Sequence, residues 1–358
     1  MKKSVEIVTF HNAYNYGAVL QCYALKKIIE GEGNICNVRN HQNERINRAY
    51  APNIFVKNSS IKEIIYRLIH CRSKLRKHKA FYPFIEEYLL SDGQMPEGSE
   101  EDKIYICGSD QVWNYNITSF DKTYFLDFVQ QKKQKNAFSA SFGLDSIPEE
   151  YKQEYQRLLS DFNIITVREK EGADIIKDLL GIEVPVTLDP TYLLSKEEWE
   201  LIIAPDEVKG KYILLYLMEE TNDILSFAKK LSEITGEKIV YISNATSQKI
   251  KGVQYKSYVT PQEWLSLFKH ASYVVTNSFH GIAFSVIFQR NVYIDLLSSS
   301  STANSRLENI IRVLGLQNRM LSSFKTDHIE NMNYNPICRI LVNERVQSLR
   351  CLRRILNG

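Results

Sequence analysis

Short apolar runs recur along this chain, at 5–10, 104–107, 164–167, 211–218 and 273–276. Each leads through a polar, turn-prone stretch into a segment of helical period. A run that is apolar on both faces must be covered on both faces, as a parallel strand between crossover helices is. That pattern restricts the chain to an α/β fold. Its 358 residues exceed one ordinary core, so two Rossmann-like domains facing a cleft are expected. The first is placed at 1–195 and the second at 210–325, joined by a linker at 203–210 with Pro205 and Gly210. In the last segment, 337–358, Val342, Val346, Leu349, Leu352 and Leu356 recur at helical spacing with the Arg residues largely opposite. This helix is expected to pack back on the body through that apolar stripe.

Within the first domain, 41–60 reads as a surface loop. Residues 61–90 read as a basic insertion of one or two helices, broken before Pro83. Strands are expected at 136–142 and 184–188. Capping boxes at 146–149, 195–198 and 260–263 mark helix starts.

The composition, 44% hydrophobic and 24% charged, is that of a soluble globular protein. No apolar run reaches the length of a membrane span. The N-terminus enters a strand at once, without the apolar region of a secretory signal. Six scattered cysteines with no C-x-x-C pair read as reduced thiols, so a cytoplasmic protein is expected. The net charge of +3 hides an asymmetry: 62–79 carries +6 and 339–354 carries +4, leaving −7 elsewhere. Such runs are usually solvated faces. Their functional alternative is attraction to an anionic membrane surface or a diphosphate-linked acceptor, through Lys74, Arg76, Lys77, Lys79 and the Arg353/Arg354 pair. That alternative places the protein peripherally at the inner face of the membrane. No nucleic-acid partner is expected.

Polar groups gather at the carboxyl ends of the expected strands, where open α/β sheets bind ligands. Strand 104–107 runs into Gly108-Ser-Asp-Gln-Val-Trp-Asn114, a turn carrying Ser109, Asp110, Gln111 and Asn114. Arg168 and Glu169 close strand 164–167. The Arg168 fork suits a carboxylate or phosphate, or a salt bridge to its glutamate neighbours. Strand 273–276 delivers Asn277 and Ser278, both capping residue types, to an apolar helix start that contains His280. Backbone N–H groups and the helix dipole favour an anion there, although a His in such a turn is more often structural. Neither G-x-G-x-x-G nor a Walker A loop occurs, and no metal-ligand cluster is visible.

Four stretches, taken together in order and spacing, resemble the polysaccharide pyruvyl transferase family. They are His11-Asn-Ala-Tyr-Asn-Tyr-Gly-Ala-Val-Leu-Gln21, Gly108-Ser-Asp-Gln-Val-Trp-Asn114, Val167-Arg-Glu-Lys-Glu-Gly172 with Asp189-Pro190, and Asn277-Ser-Phe-His-Gly281. The likeness covers about 5–320. It implies a fold like the two-domain B-type glycosyltransferases. It also implies transfer of pyruvate from phosphoenolpyruvate to a sugar in surface-polysaccharide assembly, commonly as a ketal such as 4,6-linked galactose. The family's donor-binding Arg corresponds to Arg168 and its essential His to His280. A Lys that many members carry about twenty residues after that His is missing from 298–304, and Arg306 is the nearest cation. The expected donor set is therefore Arg168, Arg306, Asn277 and Ser278. The acceptor set on the first domain is Asn12, Asn15, Tyr16, Gly17, Ser109, Gln111 and Asn114.

The resemblance implies no cofactor beyond the donor substrate. Its acceptor is a saccharide, which lipid diphosphate can carry. Ketal formation needs an acid to protonate the enol carbon and a base for the sugar hydroxyl; His280 is expected as the acid, and Asp110 or Glu169 as the base. Two other readings share the fold: a B-type glycosyltransferase using a nucleotide sugar, and a non-catalytic member of a polysaccharide locus.

Overall fold

The computed structural model describes residues 2–50, 61–91, 103–243, 250–298, 304–323 and 329–358, with the backbone alone over 61–70. The chain divides into two compact units, 1–193 with 345–358, and 194–344.

The first unit holds β1 (Ser4–Val8), α1 (Tyr16–Gly31), β2 (Ile35–Val38), α2 (Glu44–Tyr50) and α3 (Ile61–Phe84), then β3 (Ile104–Cys107), α4 (Tyr115–Thr118), β4 (Lys135–Ala140), α5 (Glu149–Ser160), β5 (Ile164–Val167) and α6 (Lys170–Leu180). Its strands pair in parallel in the order β2-β1-β3-β4-β5. β3 is buried throughout, as its continuous apolar character predicts, and β4 is buried throughout although it carries Lys135, Asn136 and Ser139. Chain direction across this sheet reverses between β1 and β3. Open α/β sheets bind ligands at the carboxyl ends of strands beside such a reversal.

The second unit holds α7 (Lys196–Glu200), β6 (Tyr212–Tyr216), α8 (Asn222–Thr235), β7 (Lys238–Ile242), β8 (Gln254–Lys256), α9 (Pro261–His270), β9 (Tyr273–Thr276), α10 (Phe279–Ile287), β10 (Asn291–Ile294) and α11 (Asn304–Leu314). Its strands are also all parallel, in the order β10-β9-β6-β7-β8. Here the reversal lies between β6 and β9. The last helix, α12 (Tyr334–Asn357), starts in the second unit and ends in the first.

Several boundaries differ from the sequence expectation. The second unit begins at Leu194, because the segment read as a linker is bound into it. Trp199 packs edge-on against Phe284 at 4.9 Å, and Ala204 N donates to Gln262 O at 3.2 Å. The box at 146–149 does not form; α5 starts at Glu149 behind Pro148, which has no side-chain cap, whereas the boxes at 195–198 and 260–263 do form. Residues 184–188 give one bridge, Val167 to Val186, and not a strand. β4 stops at Ala140 after a register shift between Ala137 and Ala140. α3 runs through Pro83 and widens into a π turn over Ile85–Leu89, which accommodates the missing donor. In the expected loop at 41–60, Asn43 caps α2 by accepting from Ile46 N at 3.0 Å, and 51–60 lies outside the described residues.

α12 is rotated from its expected packing face. Val342 and Val346 are 56% and 50% exposed, while Ile337, Leu341, Ser348, Leu352, Ile355 and Leu356 are buried. Two polar side chains set this rotation. Ser348 Oγ accepts from Leu188 N at 2.9 Å, and Arg345 Nε donates to Tyr192 O at 2.5 Å. Backbone groups under a helix require such partners, and a purely apolar stripe would leave them unpaired.

Candidate active-site residues in each unit

In the first unit, side chains converge where the strand order reverses. Thr9, just past β1, donates from Oγ1 to Ser109 O at 2.8 Å. Gln21 of α1 donates to Thr9 Oγ1 at 2.9 Å and accepts from Ser109 N at 3.1 Å. One buried amide thus ties the exits of β1 and β3 to the first helix. Ser109 is fully buried and reaches Asp189 Oδ2 at 3.3 Å.

Arg168 Nη1 meets Asp189 Oδ2 at 2.8 Å; its Nη2 is 3.8 Å from Asp110 Oδ1, and its Nε is 3.7 Å from Glu169 Oε2. Burial works against the guanidinium charge, but the three carboxyl groups outweigh it and hold its pKa above the usual value. One cation thus faces three carboxyl groups, which hold its guanidinium in place.

The three carboxyl groups differ in access. The side chains of Asp189 and Glu169 are 0% and 2% exposed, whereas Asp110 is 13% exposed. Glu169 Oε1 accepts from Ser141 Oγ, Phe142 N and Gly143 N at 2.8, 3.1 and 3.4 Å. Through that oxygen it clamps the loop after β4. Asp189 caps the short turn Pro190–Tyr192, accepting from Thr191 N and Oγ1. Asp110 stands in the left-handed region at φ 72, and its Oδ1 accepts from Gln111 N at 2.8 Å. Asp is among the few residue types that tolerate this backbone. Such strain gathers where a side chain must be aimed.

The other expected acceptor residues divide by role. Asn15 caps α1, Tyr16 packs at a tilt against Phe81 with ring centroids 4.8 Å apart, and Gly17 is buried in the first turn. Asn114 caps α4 and donates to Gln111 Oε1 at 3.1 Å. These four shape the loops. Asn12 donates to Gln42 and Asn47 at 3.1 and 3.0 Å, and its Oδ1 finds no donor among the described residues.

In the second unit the reversal between β6 and β9 is bridged by Asn277. Its Oδ1 accepts from Met218 N at 2.8 Å and its Nδ2 donates to Glu219 O at 2.7 Å. Ser278 caps α10 by accepting from Gly281 N at 3.4 Å, and Thr276 Oγ1 donates to Tyr216 O at 2.6 Å. Both expected donor residues therefore build the turn that presents His280, which lies in the first turn of α10 against Phe279. A Cβ on Gly281 would stand 2.3 Å from Thr276 Oγ1, so only glycine lets α10 start this close to β9. Asp295, just past β10, donates its N–H to Thr276 O. Burial first, then nearby Asp223 and Glu219, raise its carboxyl pKa. Arg306 lies in the first turn of α11, which packs on α10. Of the expected loop at 298–304, residues 299–303 lie outside the described residues.

Sequence reasoning named Ser109, Asp110, Arg168, Glu169, Asn277, Ser278 and His280 but assigned no role to Thr9, Gln21, Ser141 or Asp295. Their polar side chains next to strand ends were the available signal. A family model for polysaccharide pyruvyl transferase matches residues 15–294. No curated protein matches. Among solved structures, the chain is similar to the UDP-GlcNAc 2-epimerase of Methanocaldococcus jannaschii, with 14% identity, a TM-score of 0.47 and all of both chains covered. It is similar to S. aureus MnaA at 15% identity and a TM-score of 0.47, covering 99% of this chain and 91% of that one. It is also similar to the glycosyltransferase TibC of enterotoxigenic E. coli at 10% identity and a TM-score of 0.33, covering 99% and 76%.

Proposed function

We propose a reaction from one premise: this chain belongs to the polysaccharide pyruvyl transferase family. The proposed donor is phosphoenolpyruvate, and the product is a cyclic ketal on a sugar diol, such as O4 and O6 of galactose. A proton passes to the methylene carbon of the enol, leaving a cationic centre at the adjacent carbon. One sugar hydroxyl adds there and its proton goes to a base. The second hydroxyl then displaces phosphate, which leaves with the bonding pair and takes up the second proton.

His280 is the proposed acid and Asp110 the proposed base. The observation that carries the assignment is the position of Asp110. It lies where strand order reverses in a parallel sheet, its backbone is left-handed, and its carboxyl is the most exposed of the three around Arg168. His280 has the matching place in the other sheet. Arg306 supplies the donor's cation in this scheme, and Arg168, Asn277 and Ser278 position the reacting groups. Phosphate release from phosphoenolpyruvate in the presence of galactosides tests the reading; no release with any saccharide acceptor overturns it.

The reading extends to an acceptor carried on a lipid and to attachment at an anionic membrane face. No helix among the described residues is long and apolar enough to cross a membrane. The basic stretch of α3 points only partly outward. Lys74 donates to Arg48 O at 2.9 Å and Lys77 lies over the Tyr50 ring at 5.2 Å. Arg353 forks onto Glu32. Arg72, Arg76 and Lys79 are exposed at helical spacing and are the groups through which attachment would act.

A further inference from the structure

A pocket of about 500 Å³ opens in the first unit between α2 and the segment 118–121. Its lining residues are of polar type and include Gln42, Arg45, Arg48, Thr118, Ser119 and Asp121, with their carbon stems forming at least as much of the wall as their polar atoms. The volume suits a small molecule.

The floor is fixed. Asn43 is buried and donates to Thr118 O at 2.9 Å and Asp121 Oδ2 at 2.8 Å. His41 Nε2 meets the same oxygen at 2.6 Å. Burial would raise the Asp121 pKa, but bonds from His41, Asn43 and Thr123 N outweigh it and hold the carboxyl at about 2. On the wall, Glu44 pairs with Arg48 at 3.3 Å. Both carboxylates at the pocket thus have partners. Arg45 differs: it makes one long bond, 3.5 Å to Ser119 Oγ, and meets no carboxylate among the described residues.

Two links join this pocket to the proposed acceptor side. Gln42 accepts from Asn12, a residue expected at the acceptor. Tyr50, on the same helix as Arg45 and Arg48, lies close enough to Asp110 for that carboxylate to add to burial in raising the phenol pKa.

We infer that this pocket binds an oxyanion of the saccharide acceptor, away from the reacting diol, with Arg45 as its principal ligand. A guanidinium fork without a carboxylate partner, beside a hydroxyl and a second Arg, suits a carboxylate or phosphate. The oxyanion is either the carboxylate of a hexuronic acid unit or the diphosphate that links a sugar to its carrier. The inference rests on the acceptor reading above.

The test is direct binding by calorimetry to the full chain, with inorganic pyrophosphate, glucuronate and galactose as separate probes. Binding of pyrophosphate alone assigns the diphosphate, and binding of glucuronate alone assigns the sugar carboxylate. Binding of both, with galactose silent, assigns oxyanions as a class. In each case Arg45→Ala should weaken binding about tenfold or more, the loss of one charge-assisted contact. Arg45→Lys should retain part of it. Lys133→Ala, which removes an exposed charge elsewhere, should bind as the unaltered protein does. No binding of either anion, or equal binding by Arg45→Ala, overturns the inference. Phosphate release by the unaltered protein is measured separately, so pyruvyl transfer and this pocket can fail independently.

Discussion

Asp110 and Arg168 separate catalysis from stability at the level of single residues. Asp110→Asn keeps shape but removes the proposed base, so turnover should fall by roughly 10²–10⁴ with melting little changed. Arg168→Ala leaves Asp110, Glu169 and buried Asp189 without their cation and should destabilise the protein by about 3–5 kcal/mol in urea unfolding. An Arg168→Ala protein that folds normally and loses only donor affinity would return Arg168 to the donor site. Asp121 gives a pH test. Its carboxyl is held at about 2, below its ordinary value of 3.8, so the native state favours the ionised form. Its stabilisation is present above about pH 4 and is lost as the pH falls toward 2. Asn43→Ala should flatten that loss in acid unfolding curves; an unchanged curve would contradict it. The identities of these residues were legible in the sequence, because polar groups at strand ends stand out. Their roles were not. Residue type cannot say which of three carboxyl groups stays open, and Glu169 looked as eligible as Asp110 until burial separated them.

Elements were legible where period and caps agreed. Most strands of both sheets follow from short apolar runs, whereas β8 at Gln254–Lys256 carries none and was not read, and the boxes at Ser195 and Thr260 form as read. α12 was misread by its rotation, since Val346 and Leu352 are both apolar at helical spacing and only Ser348 and Arg345 reveal the inner face. Leu352→Ala should therefore cost about 2–5 kcal/mol, and Val346→Ala about 0.5 kcal/mol or less. Equal costs by chemical denaturation would restore the expected face. At the start of α10, Gly281→Ala brings a methyl group against Thr276. Overpacking of this kind costs about 1–3 kcal/mol and shifts His280, so turnover should fall even though no reacting group is altered. Full activity in that variant would show that the turn is not needed to place His280.

At the scale of the molecule, the chain carries two sheets whose strand orders each reverse once, and a candidate acid or base lies at each reversal. The number of sheets was legible because length and repeated strand–helix alternation set it. The return of α12 to the first unit was also expected, but not its point of division, because a continuous helical pattern carries no mark at residue 344. Peripheral attachment is a property of the whole surface. Co-sedimentation with anionic vesicles should occur at low salt, weaken at high salt and fall in an Arg72/Arg76/Lys79 triple alanine variant. Binding indifferent to salt would contradict an electrostatic mechanism. The decisive measurement is inorganic phosphate released from phosphoenolpyruvate with a galactoside acceptor, compared among the unaltered protein, His280→Ala and Asp110→Asn. The account predicts acceptor-dependent release, with a pyruvate ketal on the sugar and roughly 10²–10⁴ lower turnover in both variants. Release that persists undiminished in both folded variants, or no release with any saccharide, would contradict it.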